Sequence, residues 1–314
     1  MIMYRDPSDV KRVASLGAGP IGGGWTAHFL ARGYDVNAYI HDPAERDALM
    51  AVVETGWVSL TGLGLAPGAS MDRLTVTSDL AEAVEGVDFI QESAPERLDV
   101  KQALYRRLGE LVPAEVVIGS STSGLTMTEI AAECATPGRC VIGHPFNPPY
   151  LLPLVEIIGG KQTDKAAVAW TAAFYEVAGK APLVMKKEVP GFVATRLQEA
   201  LWREALHMVA NGEATPEDID IALKNGPAPR MAVQGQCMAF HVACGEGGMA
   251  TNLDQFGPAL KWPWTRLEAP ELTKDLRNQM VDGCNAMAGD RDFRDMAAER
   301  DRKIVAVLKA VRDG

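Results

Sequence analysis

His144 and Glu156 are the two residues whose types and spacing most directly suggest chemistry. Short apolar runs flank both residues, and prolines at positions 145, 148, 149 and 153 predict a rigid chain reversal between them. Such a reversal can bring the Glu156 carboxylate to one ring nitrogen of His144. A carboxylate there fixes the tautomer and increases the basicity of the other nitrogen. The pair therefore predicts a general base and its orienting partner, with ordinary packing as the competing interpretation.

Alternating strands and helices must position this pair over about the first 185 residues. The predicted strands are Val13–Leu16, Asp35–Ile40, Leu74–Thr77, Asp88–Gln91, Val116–Ile118, Arg139–Gly143, Val155–Ile158 and Pro182–Met185. The predicted helices are Ile21–Ala31, Ala44–Leu60, Arg97–Leu111, Thr126–Cys134 and Lys165–Val177. Strands separated by helices indicate a mainly parallel sheet covered on both faces. The last strands, close together in sequence, predict an antiparallel or mixed edge.

A glycine-rich turn stands between the first predicted strand and the first predicted helix. It matches the GxGxxG pattern, in which the glycines allow a tight turn and close approach of the backbone to a pyrophosphate. Asp42 follows the second strand, 25 positions after Gly17, where a carboxylate can accept both adenosine ribose hydroxyls and repel a 2′-phosphate. NAD is therefore favoured over NADP. The predicted contacts are Gly17, Ala18, Gly19, Pro20, Ile21, Gly22 and Asp42.

The pattern changes near residue 188, beyond which no persuasive strand is found. Thr195–Val209 is strongly helical, and Thr215-Pro-Glu-Asp predicts a helix start with a cap, a proline and early acids. The predicted fold is α/β, a Rossmann-type doubly wound, mainly parallel sheet followed by an all-α domain. We place the NAD-binding domain at 1–188 and a helical substrate and dimerisation domain at 189–314, with the site expected in the cleft between them.

Composition excludes several functional classes. The chain has 314 residues, enough for two domains, and is 47% hydrophobic and 23% charged, as is usual for globular proteins. A net charge of -10 argues against binding to nucleic acid or to anionic membranes. Five cysteines without CxxC spacing indicate reduced thiols and no zinc site. Without a predicted signal peptide or membrane span, we expect a cytoplasmic protein that contains no metal.

Several separate motifs, in order, make the chain resemble the 3-hydroxyacyl-CoA dehydrogenase superfamily from about Val13 to Leu276. They are Gly17–Gly22, Pro95-Glu96 with Lys101, Ser120–Leu125, His144–Pro148, Leu154–Glu156 and Val189–Arg196. The resemblance implies that His144 is the base, Glu156 its partner, and Ser123 a hydrogen-bonding partner of the substrate oxygen. It also implies that the nicotinamide half of the cofactor lies among Glu96, Lys101, Ser121 and Asn147. Many members carry an asparagine where this chain has Thr195, whose hydroxyl can substitute as a donor.

Later motifs resemble the L-carnitine 3-dehydrogenase branch of that superfamily, which oxidises a small free 3-hydroxy acid. These are Gly226–Arg230, Gly245–Met249, Gln255–Thr265 and Pro270–Thr273. The trimethylammonium group of carnitine cannot donate hydrogen bonds and is commonly bound by aromatic faces. Candidates for that cage are Tyr150, Phe240, Phe256, Trp262 and Trp264, although core packing explains most aromatic residues equally well. Arg230 or Lys261 could pair with the substrate carboxylate.

Three alternatives to L-carnitine oxidation stay open at this point. L-gulonate 3-dehydrogenase is a second small hydroxy-acid enzyme of the same superfamily. A CoA-thioester dehydrogenase is disfavoured because the sequence lacks a basic cluster suited to the CoA phosphates. A non-catalytic NAD-binding protein on the same scaffold is disfavoured because a pure binder has no need of a general base. The long apolar-faced helices of the second domain predict a homodimer.

Overall fold

The computed structural model describes residues 4–244, 248–256 and 293–313, with 265, 271, 273–276, 278 and 290. The chain forms two compact units, Met1–Val193 and Ala194–Gly314. The division therefore lies at residue 193, five residues after the position suggested by the sequence pattern. Each unit is described by itself below.

The first unit is built on a single sheet of eight strands. These are β1 (Arg12–Leu16), β2 (Asp35–Tyr39), β3 (Leu74–Thr77), β4 (Phe89–Glu92), β5 (Val117–Ser120), β6 (Cys140–Pro145), β7 (Leu154–Gly159) and β8 (Ala181–Val184). Their order is β3-β2-β1-β4-β5-β6-β7-β8. The pairs from β3 to β6 are parallel, β7 is antiparallel to β6, and β8 is parallel to β7. The predicted mainly parallel sheet with a mixed edge is confirmed.

Helices cover both faces of this sheet. They are α1 (Pro20–Ala31), α2 (Arg46–Leu63), α3 (Leu80–Val84), α4 (Leu98–Leu111), α5 (Met127–Ile130) and α6 (Lys165–Val177). The helix predicted over Thr126–Cys134 is too long, because α5 gives way to a 3₁₀ turn at Ala131–Glu133. The short helix α3 was not predicted from the sequence, although its start is marked by Asp79, which accepts the amides of Ala81 and Glu82.

The core explains why the central strands read as continuous apolar runs. All residues of β4 and β5 are buried, as expected for parallel strands covered on both sides. One face packs against α4 and α5 around Tyr105, Leu108 and Ile130. The other carries a cluster of aromatic rings formed by Trp25, Phe29, Phe89, Phe174 and Tyr175. Parallel strands bring their carboxyl ends to one edge, which is where the candidate site residues collect.

The described part of the second unit is helical. It contains α7 (Ala194–Ala210), α8 (Pro216–Asn225), α9 (Pro227–Ala243, kinked at Gly235), α10 (Gly248–Phe256) and α11 (Phe293–Asp313). The predicted start of α8 is confirmed, because the N-cap Thr215 and Asp218 in the first turn form a reciprocal capping box, with Pro216 as the first helical residue. Within the described residues of both units, no helix combines the length and the apolar character needed to cross a membrane.

Candidate active site

The antiparallel pairing of β6 and β7 brings the candidate base and its partner together. His144 lies directly opposite Glu156 in the strand register. The Nδ1 atom of His144 is 3.0 Å from Oε2 of Glu156. His144 is 6% exposed and Glu156 is fully buried. Because a buried carboxylate requires a compensating partner, the contact fixes the ring and leaves Nε2 as the nitrogen available for chemistry.

A strained turn before the end of the first unit supplies a further contact of Glu156. The backbone amide of Val193 donates to Oε1 of Glu156 at 2.8 Å. The preceding Phe192 has φ 47°, a left-handed conformation that is unusual for a bulky residue. Gly191, also at positive φ, leads into it. The Val-Pro-Gly-Phe motif thus positions an amide on the carboxylate, a role that the sequence analysis did not assign.

Two phenylalanine rings flank the imidazole. Phe192 lies with its ring centroid 5.2 Å from that of His144, and Phe146 meets it edge-on at 5.7 Å. These rings restrict imidazole rotation and shield it from bulk water. Among the described residues no hydrogen-bond partner of Nε2 is found. The arrangement can therefore accept a proton at Nε2 while Nδ1 stays on Glu156.

A cavity of about 710 Å³ opens at the glycine-rich turn. A Cβ on Gly17, which has φ 129°, would lie 2.5 Å from the carbonyl oxygen of Ser93, and one on Gly22 would meet the Gly17 carbonyl. Gly19 faces open space and caps α1 without a side-chain hydrogen bond. The amides at the start of α1 are thus available to an anion, and the turn fits the pyrophosphate of a dinucleotide.

Near the end of β2, the cavity is lined by residues other than Asp42. Asp42 is exposed, and its carboxylate accepts the Ala44 amide as the cap of a 3₁₀ turn. Glu45 and His41 line the cavity, whereas Asp42 is not among its lining residues. The Glu45 carboxylate also accepts the His41 amide at 2.9 Å. Glu45, three residues after Asp42, was not predicted as a site residue, although it lines the cavity.

Glu96 and Lys101 lie close together beyond β4. Lys101 is 1% exposed, and its Nζ is 3.6 Å from Oε2 of Glu96. Glu96 accepts from the Thr122 hydroxyl at 2.6 Å and from the amides of Ser123 and Gly124. Burial raises the pKa of Glu96, but the Thr122 hydrogen bond and the Lys101 charge outweigh it, and the pKa is lowered. Glu96 therefore stays ionised and organises the loop after β5.

Glu92 is a second fully buried carboxylate of this region, and it was not among the predicted site residues. Lys101 Nζ, the Ser120 hydroxyl and the Ala94 amide all lie 2.6 Å from its oxygens. Its sequence signal was of the same kind as that of Glu156, a charged residue within an apolar strand, in this case β4. Lys101 thus has its nearest contact with Glu92 rather than with a solvent-facing group.

The remaining predicted cofactor and substrate positions of the first unit lie on loops after β5 and β6. Ser121 Oγ contacts Trp25, Gln91 and Ser93. Ser123 is exposed and is not the cap of α5, because Thr126 accepts the Glu129 amide and fills that role. Asn147 is exposed. Tyr150 is buried, and its ring packs within 3.2 Å of the Cβ position of Gly56 in α2.

The other predicted substrate positions belong to the second unit. Thr195 is half-buried in the first turn of α7. Arg230 and Phe240 lie in α9, and both are exposed. Phe256 ends α10, and the aromatic candidates Trp262 and Trp264, with Lys261, lie outside the described residues. In the part of the chain that is described, no group of three or more His, Cys, Asp or Glu residues could hold a metal ion.

Most of the chain matches the two domains of one known protein family. The 3-hydroxyacyl-CoA dehydrogenase NAD-binding domain matches residues 12–189, and the C-terminal domain of the same family matches residues 191–282. A protein of Streptomyces coelicolor named L-carnitine dehydrogenase is 59% identical over 97% of this chain and 96% of its own length. One of Pseudomonas putida with the same name is 47% identical over 97% and 95%.

A solved structure gives the same result for the architecture. The NAD⁺-dependent 5-formyl-3-hydroxy-2-methylpyridine 4-carboxylic acid 5-dehydrogenase superimposes with a TM-score of 0.84 at 30% identity, covering 96% of this chain and 99% of that one. Cofactor and reaction class follow from these matches together, and the chain is an NAD-dependent oxidoreductase that acts on a secondary alcohol. With both family domains matched in order along a Rossmann sheet and a helical C-terminal unit, this chain belongs to the 3-hydroxyacyl-CoA dehydrogenase family.

Proposed function

We propose that the chain oxidises the 3-hydroxyl group of L-carnitine to 3-dehydrocarnitine, with His144 as the general base oriented by Glu156. The contact between Nδ1 of His144 and Oε2 of Glu156 carries the chemical part of this proposal. The relatives named L-carnitine dehydrogenase, 44% to 59% identical over at least 96% of the chain, support the substrate.

The chemistry follows from the geometry of the imidazole. With Nδ1 directed at Glu156, the proton of a neutral ring lies on Nδ1, and the lone pair of Nε2 can accept the hydroxyl proton. As that proton transfers, the carbinol C–H bond breaks and a C=O bond forms. NAD, when bound, accepts the hydride. Glu156 stabilises the imidazolium that results, and the Val193 amide keeps the carboxylate in place.

The residues proposed to hold the cofactor extend along the carboxyl edge of the sheet. Gly17, Gly19 and Gly22 form the turn for the pyrophosphate, and Asp42 was predicted for the ribose. Glu96, Lys101, Ser121 and Asn147 are proposed around the nicotinamide half. Ser123 and Thr195 are proposed as donors to the substrate oxygen. We also propose a cytoplasmic homodimer formed through the helical unit.

A substrate panel tests this proposal. NADH absorbance would be followed with L-carnitine, D-carnitine, L-gulonate, 3-hydroxybutyrate and a 3-hydroxyacyl-CoA, each with NAD. We expect kcat/KM to be highest for L-carnitine. A higher value for L-gulonate or for the CoA thioester would overturn the substrate assignment while leaving the family intact. Binding of NAD without turnover of any alcohol would overturn the catalytic assignment.

A further inference from the structure

A series of hydrogen-bonded polar side chains lies at the carboxyl edge of the sheet, next to the 710 Å³ cavity. Ser121 Oγ lies 2.8 Å from Nε2 of Gln91, 3.2 Å from Nε1 of Trp25 and 2.9 Å from Oγ of Ser93. Gln91 and Trp25 are fully buried, and Ser93 and Ser121 are half-buried. The direction of each hydrogen bond in this series follows from the chemistry of its members.

Gln91 has only one orientation that satisfies its neighbours. Its side chain lies 3.3 Å from the carbonyl oxygen of Gly143, and a carbonyl can only accept. The amide nitrogen must therefore face Gly143, which leaves Oε1 to accept the hydroxyl of Tyr175. The second amide hydrogen is then directed at Ser121 Oγ.

Ser121 is consequently a double acceptor. The indole nitrogen of Trp25 is a donor only, and so is the amide nitrogen of Gln91. These two donors occupy both lone pairs of Ser121 Oγ. Since the oxygen has no acceptor capacity left, Ser121 must give its own hydrogen to Ser93 across the 2.9 Å contact.

Ser93 stands at the end of this directed series. It accepts from Ser121, and its own hydroxyl hydrogen has no acceptor among the described residues. Ser93 lines the 710 Å³ cavity together with Gly17 and Gly19. Its carbonyl oxygen lies 2.5 Å from the Cβ position of Gly17, so its backbone is in contact with the pyrophosphate turn.

We propose that Ser93 donates a hydrogen bond to an acceptor oxygen of the bound dinucleotide, either a phosphate or a ribose oxygen. Trp25, Gln91 and Ser121 are positioning residues that keep the Ser93 hydroxyl in its donor orientation. In this arrangement Ser121 acts on the cofactor through Ser93, because its hydrogen and both of its lone pairs are already engaged. This differs from the direct contact that family resemblance implies for Ser121.

The test is the dissociation constant of NADH, measured by its fluorescence with the full-length protein. Ser93→Ala should weaken NADH binding about tenfold, the change produced by losing one hydrogen bond at the upper end of the usual net strength. Ser121→Ala should weaken it less, about threefold, because the Ser93 hydroxyl remains but is no longer oriented. The double variant should match Ser93→Ala alone. Ser78→Ala, an exposed serine after β3 outside the cavity lining, is the matched control.

If the double variant lost affinity for NADH by the product of the two single-variant factors, the proposal would be overturned. Such a result would mean that Ser121 contacts the cofactor independently of Ser93. Unchanged NADH affinity in Ser93→Ala would overturn it as well. Unliganded melting temperatures of all variants verify folding. ADP then locates the acceptor within the proposal: a tenfold loss with both ADP and NADH assigns it to the ADP half of the cofactor, a pyrophosphate or adenosine ribose oxygen. A loss with NADH alone assigns it to the ribose of the nicotinamide half.

Discussion

Two buried carboxylates, Glu92 and Glu156, lie on the same sheet and differ in what their partners can do. Glu92 is surrounded by a lysine, a hydroxyl and an amide, all at 2.6 Å. Glu156 contacts an imidazole and an amide at 3.0 and 2.8 Å. Lys101 Nζ has its contacts inside the protein, whereas the imidazole keeps a second nitrogen without a partner among the described residues. We infer that Glu92 serves the stability of the fold and that Glu156 serves chemistry.

Removing the charge of Glu92 should produce the largest effect on folding. Glu92→Gln leaves the ammonium of Lys101 buried with weaker partners, which costs on the order of 3–5 kcal/mol in the free energy of unfolding. Urea denaturation monitored by tryptophan fluorescence measures this loss. The double variant Glu92→Gln/Lys101→Met should recover part of it. A loss of unfolding free energy below about 1 kcal/mol would mean that the Glu92–Lys101 pair contributes no more than an exposed ion pair. The contrast with Glu156 would then not hold.

Removing the proposed base should produce the largest effect on catalysis. His144→Gln should lower kcat at least about a hundredfold, the lower bound for general-base assistance. NADH affinity should change little, because the imidazole lies away from the glycine turn in the strand order. Steady-state kinetics with NAD measures kcat, and fluorescence titration with NADH measures the affinity for the cofactor. Unchanged kcat would exclude His144 from proton transfer.

Glu156→Gln tests the orienting partner with the base still present. The Gln amide can donate to Nδ1, which shifts the ring proton to Nε2 and leaves that nitrogen unable to accept. We expect kcat to fall roughly tenfold to a hundredfold, with a smaller loss of unfolding free energy than in Glu92→Gln. The same change at the two carboxylates thus separates a catalytic from a structural role. Equal losses of stability with normal kcat would assign Glu156 the structural role instead.

The sequence was most informative where one signal was local. The charge of Glu156 within an apolar run, together with the proline-rich reversal, predicted its contact with His144. Other features depend on residues far apart in the chain. The hydroxyl direction of Ser93 depends on Trp25, Gln91 and Tyr175, which reach it from α1, β4 and α6. Such relations follow from tertiary packing and carry no short-range sequence signal.

Lys180 extends the comparison to a buried cation whose described partners are neutral. It is 7% exposed, contacts the carbonyls of Pro149 and Leu152, and lies 4.9 Å from the Trp25 ring centroid. Burial lowers its pKa to about 7. An unfolded lysine titrates near ~10.4, so between these values the unfolded chain binds more protons and stability rises with pH.

The change expected from Lys180 is at most about 1.4 kcal/mol per pH unit. The destabilisation caused by burying Lys180 is fully present below the pKa of the folded state. It disappears as the pH approaches the pKa of lysine in the unfolded chain. Unfolding free energies of the wild type and of Lys180→Met, measured from about pH 7 to about pH 9, isolate this contribution. The wild type should gain stability relative to the variant as pH rises. Parallel curves would show that Lys180 stays charged in the folded protein.

The smallest effect is expected at the adenosine end of the cavity, where two acidic residues compete for one role. Asp42 was predicted to exclude a 2′-phosphate, but Glu45 lines the cavity. A single carboxylate near the ribose should change the preference for NAD over NADP by about threefold to tenfold, because it is partly exposed and screened. We expect Glu45→Gln to reduce the preference by that factor and Asp42→Asn by less. The kcat/KM ratio for NAD and NADP measures both. A larger effect of Asp42→Asn would restore Asp42 as the discriminating carboxylate, and no effect of either would place discrimination elsewhere in the cavity.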